Sequence, residues 1–479
     1  MIQDSQNVLI PPSEDFILPA DTEMNMELLL ELIKKHQTLV DSRYQLLKDV
    51  YESRYPILEQ QAKDLYKPDN RLVVNFAKYL TDTFNGYFIG IPIRTTHDDD
   101  SINEYLQDLR DFNDLTNEEY ELAKATSKFG IAYDLIFQDE DGNTNVMEVT
   151  PMDTFLVRDT SIRKKKLFGI NYSTTSEGVL TGSYSTAENI YYFEQNDDGE
   201  LVISDTLPNV FGEVPIVEYR ENKEGMALYE SVYTLMNAYN KALSEKSNDV
   251  DYFSDAYMKI VGVELTEEQM RFLRDMRMIN VYNNQNPDDI TKNIDIDFLS
   301  KPSADDTQEN LLETLEEKIY QISMVSNVSN ESFGSSAGIS LAYKLLSMDN
   351  LASIKQKKFQ AGLKERYRII NNLPKSFKAD EWKNIRFKFT RNAPKNVLEE
   401  TQVINNLNGI VSRETQLAHL SIVDDPIDEM ERAKAEQEDD SLWDEETVLG
   451  RRSLDYDATG EEPILEDSTA VFNRENQAK

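Results

Sequence analysis

The sequence predicts an α+β fold, and three stretches predict it. Residues 303–373 read as a helix, a glycine-bearing loop and a long helix. Residues 130–220 change to a period of two, the pattern of half-buried strands. Helices at 225–253 and 303–325 bracket a run of short alternating elements, a helix-out, small-domain, helix-back arrangement.

Residues 1–20 carry Pro11, Pro12 and Pro19 and read as extended. From Met24 to about Tyr55, Leu28, Leu29, Leu32, Ile33, Leu39, Leu46, Leu47 and Val50 keep a helical period, and Pro56 ends it before a second short helix. His36 lies here, and a lone histidine on a helix is a structural residue rather than a ligand. Asn70 is suited to cap a helix whose apolar positions are Leu72, Val73, Phe76, Tyr79, Leu80 and Phe84. Gly86 and Gly90 then allow a close turn into Ile91-Pro-Ile93. Asp98-Asp-Asp100 raises a metal site, but three adjacent acids do not converge on one ion; acids at a helix start fit the following helical stretch, 101–129, better.

From Gly130 strands are expected at 131–137 and 146–149, joined by the turn Asp139-Glu-Asp-Gly142, then at 154–157, 167–172, 190–193, 201–204 and 215–219. A helix follows Gly225, with Leu228, Val232, Leu235, Met236 and Tyr239 in period. Strand-like pieces at 257–263, 279–282 and 294–299 surround a helical piece at 266–276.

Ser303 with Asp306 is a capping-box-like start for the next helix, whose Leu311, Leu312, Leu315, Ile319 and Ile322 recur at three- and four-residue spacing. The run Val325 to Gly338 is small and polar, with Gly334 and Gly338 free to take positive φ. The period then returns from Ile339 to Leu373, before Pro374. Between Leu341 and Leu373 stand seven bases and two acids, a local net of +5 in a chain of net −38. Such a helix either presents a solvated basic face or meets an acidic surface or a nucleic-acid backbone. Residues 384–390 alternate as a strand expected to rejoin the 130–220 block. Two helices are expected at 397–410 and 414–420; His419 has no neighbouring ligand. Residues 424–479 hold 19 acids and 6 bases and read as a disordered or short-helix interaction arm.

The 479-residue chain is long enough for two or more domains and contains no cysteine, which excludes disulfides, thiolate metal sites and cysteine nucleophiles. Its start has no basic segment of a secretory signal, and its longest apolar stretch, 84–93, is too short to span a bilayer, so a soluble protein with no membrane contact is expected. No HExxH, GxxxxGK[ST] or GxSxG occurs, which weighs against the common hydrolase and ATPase chemistries; acid-only metal sites stay open.

Two motifs in order, Asn70-Arg-Leu-Val-Val-Asn-Phe-Ala-Lys-Tyr-Leu80 with Gly86-Tyr-Phe-Ile-Gly-Ile-Pro92, then Ser329-Asn-Glu-Ser-Phe-Gly334 with Gly338-Ile-Ser-Leu-Ala-Tyr-Lys-Leu345, carry a resemblance. With the helix–insertion–helix between them, residues 25–425 resemble the portal proteins of tailed double-stranded-DNA phages, in the branch of long-tailed phages of Gram-positive hosts. The resemblance implies a wing at 1–224 (helices 24–129, strands 130–220), a first stem helix at 225–255, a clip at 256–302, a second stem helix at 303–325, a tunnel loop at 326–340, a long helix at 341–373, a wing strand at 374–393 and a crown at 394–425; the acidic tail 426–479 carries no signal.

It further implies a ring of about a dozen subunits at one capsid vertex. DNA would meet the loop residues Asn327, Ser329, Asn330, Glu331, Ser332, Phe333, Gly334, Ser335, Ser336 and Gly338. The basic residues Lys344, Lys355, Lys357, Lys358 and Lys364 would face neighbouring subunits or the channel. The clip, with Arg271, Arg274, Arg277, Asn283 and Asn284, would dock the terminase large subunit and later the head–tail connector or adaptor. Major capsid and scaffolding proteins are the other implied partners. The implied location is the portal vertex of the virion, and the host cytoplasm during assembly. No cofactor and no enzyme activity are implied. The alternatives are an acid-rich metal-dependent hydrolase or nuclease, and a structural adaptor that never meets DNA.

Overall fold

The computed structural model describes residues 9–63, 68–254, 258–261, 295–298, 305–328, 338–373, 380–393, 397–420, 422–423 and 426–436. They fall into two units, Met1–Ala393 and Pro394–Lys479.

In the first unit, helix α1 (Met26–Leu39) starts at Asn25, whose side chain accepts from the Leu28 N–H at 2.9 Å, and buries Leu29, Leu32, Ile33 and Leu39. A π-helical turn at Val40–Tyr44 leads into α2 (Gln45–Tyr51). The wider turn shifts the helical face and turns Arg43 inward. Arg43 is fully buried, donates to both carboxylate oxygens of Glu230 (2.9 and 2.8 Å) and to the Gly225 carbonyl (2.9 Å), and so ties this helix to the segment 225–232.

Helix α3 (Phe76–Ile89) begins five residues later than expected from a cap at Asn70, and its cap is Asn75, which accepts from the Lys78 N–H at 3.0 Å. Asn70 does other work. Residues 70–74 lie extended along α6 (Tyr233–Ser254), and the N–H groups of Asn70, Leu72 and Val74 donate to Asn248, Ser244 and Asn240 at 2.6, 2.9 and 2.8 Å. The N–H groups on one side of an extended chain recur every two residues, and helix side chains recur every four, so the two repeats run in step. Helices α4 (Asp100–Phe112) and α5 (Leu115–Phe129) follow; Asp99 caps α4 by accepting from the Ser101 N–H at 2.9 Å.

The strand-rich block is two sheets. One has the order β1 (Phe16–Leu18), β5 (Thr154–Asp159), β6 (Lys166–Thr174), β7 (Leu180–Ser185), β8 (Asn189–Gln195), β9 (Leu201–Pro208). The other has the order β10 (Ile216–Arg220), β3 (Ile131–Gln138), β4 (Thr144–Val149). β7 escapes the sequence pattern because Thr, Gly and Ser dominate it. Gly182 is required there: a Cβ would stand 2.3 Å from the Asn171 carbonyl oxygen on β6.

Helix α7 (Asp305–Ser323) packs on α6, and the long helix α8 runs Gly338–Ile370, three residues earlier at each end than expected. Between α6 and α7, β11 (Met258–Val261) pairs antiparallel with β12 (Asp295–Phe298), while the expected pieces at 266–276 and 279–282 lie outside the described residues. The expected strand at 384–390 shortens to β13 (Arg386–Lys388). It does not rejoin the 130–220 block; it pairs antiparallel with β2 (Arg94–Thr96). Aromatic packing directs it there: Phe387 stacks on Tyr367 of α8 (5.8 Å) and Phe389 meets Phe88 of α3 (5.7 Å). In the second unit, α9 (Val397–Leu407) precedes α10 (Arg413–Ala418), capped by Ser412, and residues 426–436 are helical.

His36 is a core residue. It stacks on Phe155 (centroids 4.4 Å) and its Nδ1 takes the Tyr172 hydroxyl hydrogen at 2.8 Å, while the Pro151 carbonyl holds the other ring nitrogen. Burial lowers its pKa from 6.5 to about 3. Below pH 6.5 the unfolded chain therefore binds a proton that the folded chain refuses, so stability falls with acid through the window from 6.5 to 3. The expected contribution is about 1.4 kcal/mol per pH unit, about 2 kcal/mol at pH 5. Urea unfolding at pH 7 and pH 5 should show this loss, and His36→Gln should remove it; an unchanged pH slope in that variant contradicts the buried neutral ring.

Candidate functional site

The stretch that the sequence singles out, α7, the loop and α8, is built on rigid supports at both ends. α7 lies along α6 with Gln308 donating to Asp249 (2.9 Å) and Lys246 paired with Glu309. An aromatic joint fixes its far end: Tyr320 sits edge-on to Phe76 (6.0 Å) and Tyr79 (5.9 Å) of α3, and Phe76 edge-on to Tyr239 of α6 (5.0 Å). α7 is not buried on the whole expected face. Leu312 and Ile319 are buried, but Leu311 and Ile322 are about half exposed (50% and 48%).

The helix stops at Met324, which takes a left-handed φ of 61°, and Val325 is buried behind it. Ser326 then donates to the Lys344 carbonyl at 2.7 Å, and Asn327 to Glu316 at 3.3 Å. The foot of the loop is thus bound to both helices it joins. Asn327 belongs to this foot and Gly338 opens α8. Ser329, Asn330, Glu331, Ser332, Phe333, Gly334, Ser335 and Ser336 lie outside the described residues, as do Arg271, Arg274, Arg277, Asn283 and Asn284.

α8 divides its charges between the interior and the surface. Arg366 is fully buried and donates through Nε to Asp134 of β3 (2.6 Å) and through Nη1 to Glu119 of α5 (2.8 Å). Glu119 also receives both ends of Arg110 of α4 (3.0 and 3.1 Å). Two guanidinium groups and two carboxylates thereby close a neutral buried network, and it holds the Arg366 proton well above its usual range, against desolvation. Three turns earlier, Lys355 is also fully buried. Its ammonium has three partners, the Ala123 carbonyl (2.6 Å), Ser127 Oγ (2.7 Å) and Glu221 (2.7 Å), and burial lowers its pKa. Lys355 is therefore spent inside its own chain and offers nothing to a neighbour. Lys357, Lys358 and Lys364 are exposed, and Lys344 is half-buried. Gly362 lets α8 approach β10: a Cβ there would stand 2.4 Å from the Tyr219 ring.

Sequence reasoning missed Glu119, Asp134 and Glu221, the acids that receive α8. One signal was present: Asp134 interrupts the apolar run Ile131-Ala-Tyr-Asp-Leu-Ile136, and an acid inside a buried strand requires a buried base. The acidic triplet is accounted for by structure, since Asp99 caps α4 and Asp98 pairs with Arg386 at 2.8 Å. His97 lies 3.3 Å from Glu381. No helix among the described residues is long and apolar enough to cross a membrane.

This arrangement, a helix pair ending in a loop that is footed on a long clamped helix, belongs to a known class. The sequence matches the family described as phage portal protein, SPP1 Gp6-like, over residues 30–441, and the chain belongs to that family. It is 25% identical to the portal protein of Bacillus phage SPP1, covering 90% of this chain and 89% of the relative. It is 21% identical to the portal protein of Clostridium phage phiCD119, covering 83% and 91%. A chain from a structure described as the neck of a native GTA particle computed with C12 symmetry is similar at 12% identity and a TM-score of 0.44, over 78% of this chain and 92% of that one. The chain's role is that of its family: a structural portal at the capsid vertex, the head-to-tail connector through which DNA is packaged and ejected, assembled as a ring.

Removing one member of the buried network leaves charges without partners. Arg366→Met should cost about 3–5 kcal/mol, and Lys358→Met, at an exposed site of the same helix, within about 0.5 kcal/mol of zero. Denaturant unfolding of the two variants makes the comparison; equal costs contradict the clamp.

Proposed function

We propose that about a dozen copies close the ring, that residues 326–340 are the segment touching DNA in the channel, and that residues 256–302 dock the terminase large subunit during packaging and the head–tail connector or adaptor afterwards. The ring assembles in the host cytoplasm with major capsid and scaffolding proteins and ends at the virion vertex. The observation that carries the loop assignment is the foot at Ser326 and Asn327. It ties the start of the loop to both helices that the loop joins, so that the segment is presented from fixed supports.

Charge supports the same reading. Duplex DNA carries about one charge per 1.7 Å of axis, and each basic contact adds salt-dependent affinity that would hold it in place. A chain of net −38 repels the duplex instead, over a screening length of roughly 8 Å. Exposed Leu311, Ile322 and Val250 on the two stem helices fit burial against neighbouring subunits.

Two experiments test these assignments. Ser335→Arg with Ser336→Arg should leave rings intact but stall packaging, read as DNA protected from nuclease inside heads; normal packaging by such rings removes the loop from the DNA path. Lys357→Glu with Lys358→Glu should lower ring yield in sedimentation while the subunit stays folded by circular dichroism. Unchanged ring yield shows that these exposed lysines do not face a neighbour.

A further inference from the structure

The six-stranded sheet is charged oppositely at its two ends. The β5–β6 turn and its flanks, 158–166, contain Arg158, Arg163, Lys164, Lys165 and Lys166 against one acid, Asp159. Arg158, Lys164 and Lys166 are paired internally, with Glu218 (3.4 Å), Asp15 (3.0 Å) and Glu365 (3.0 Å). Arg163 and Lys165 are exposed and have no ion-pair partner among the described residues, and Ile162 between the strands is fully exposed (105%). Lys164 also borders a groove of about 460 Å³ that reaches Lys223 and Lys358, two further cations without an ion-pair partner among the described residues. Glu188, in the β7–β8 turn, is a further acid at this end.

Strand connectivity places the other two turns at the opposite end. Thr174 pairs with Leu180 and Thr181 with Glu194, so the turns 175–179 and 196–200 lie together, away from 159–165. They carry Glu177, Asp197, Asp198 and Glu200, all exposed, with no base in either turn and no ion-pair partner among the described residues. Val202 and Ile203, beside them on the edge strand β9, are 38% and 40% exposed. β6 is 9 residues long, so the two charged ends stand about 30 Å apart.

We propose that this polarised sheet forms a head-to-tail subunit contact: the basic turn 161–165 of one copy docks on the acidic tips 175–179 and 196–200 of the next, with Ile162 against Val202. The inference rests on ring assembly and names one surface of it. A second copy is the fitting partner for two reasons. Each copy brings −38, so like subunits repel unless opposite charges meet locally. The positive surface is also interrupted by Asp15, Glu218 and Glu365, which suits a side-chain-bearing loop better than a phosphate backbone. A patch that meets a different patch of the same chain is heterologous, the kind of contact that closes rings rather than two-fold dimers.

The chain has no cysteine, so an introduced pair reports on this contact alone. Rings of Ile162→Cys/Asp198→Cys, treated with a short bis-maleimide, should give a ladder of linked subunits on denaturing gels, and each single variant should stay monomeric. Arg163→Glu/Lys165→Glu, and separately Asp197→Lys/Asp198→Lys, should raise the concentration for half-assembly about tenfold or more, and the four changes together should restore it. Rings in which the double-cysteine chain stays unlinked, or in which the fourfold variant assembles no better than its parents, overturn the contact while leaving the ring. A wild-type chain that remains monomeric with its capsid partners present overturns both.

Discussion

The structure depends on buried bases that are hydrogen-bonded to buried acids of distant segments. Arg366 and Lys355 fasten the long helix to β3, α5 and the loop after β10, and Arg43 fastens the first helix to Glu230, just before α6. Taking such charges out of water is costly, and the cost is offset only when both partners and the remaining donors are satisfied. The pairing is therefore a demand on geometry more than a source of stability. A helix that slid by one turn along β10 would leave Asp134 buried without its base and Glu119 with Arg110 alone. A long helix that anchors the foot of a loop at Ser326 needs such a fixed register.

This clamp also divides the charge of the chain by purpose. The basic excess of α8 looks like one feature in the sequence, yet Lys355 and Arg366 serve the interior, Arg368 pairs with Glu213 at 2.8 Å, and Lys357, Lys358 and Lys364 stay in solvent. The chain as a whole keeps a net charge of −38. Like subunits of that charge repel unless opposite charges meet locally, which is why the proposed contact turns on exposed bases such as Arg163 and Lys165.

Much of the fold was legible in periodicity. The helices α6, α7 and α8 and most strands follow from apolar spacing, because each has apolar residues gathered on one side. The misreadings have physical causes. Asn70 has the chemistry of a cap, but its amide bonds to Asn248 of a helix 178 residues away. β7 hides because Gly182 and its serines satisfy close strand contact rather than apolar packing. The strand at 386–388 alternates correctly, but alternation does not name a partner, and aromatic contacts with Tyr367 and Phe88 drew its segment to β2.

The sequence by itself determined the element types, the lack of thiol chemistry, the acidity and the family resemblance, because these are local or additive properties of residues. Tertiary structure alone decided which bases are buried and by which acids, which turns of the sheet share an end, and where the foot of the loop is tied. The buried pairs depend on groups more than a hundred residues apart coming within 3 Å of one another, as Arg366 and Asp134 do at 2.6 Å, and no local pattern encodes the pairing of two charges that meet only after the chain has folded.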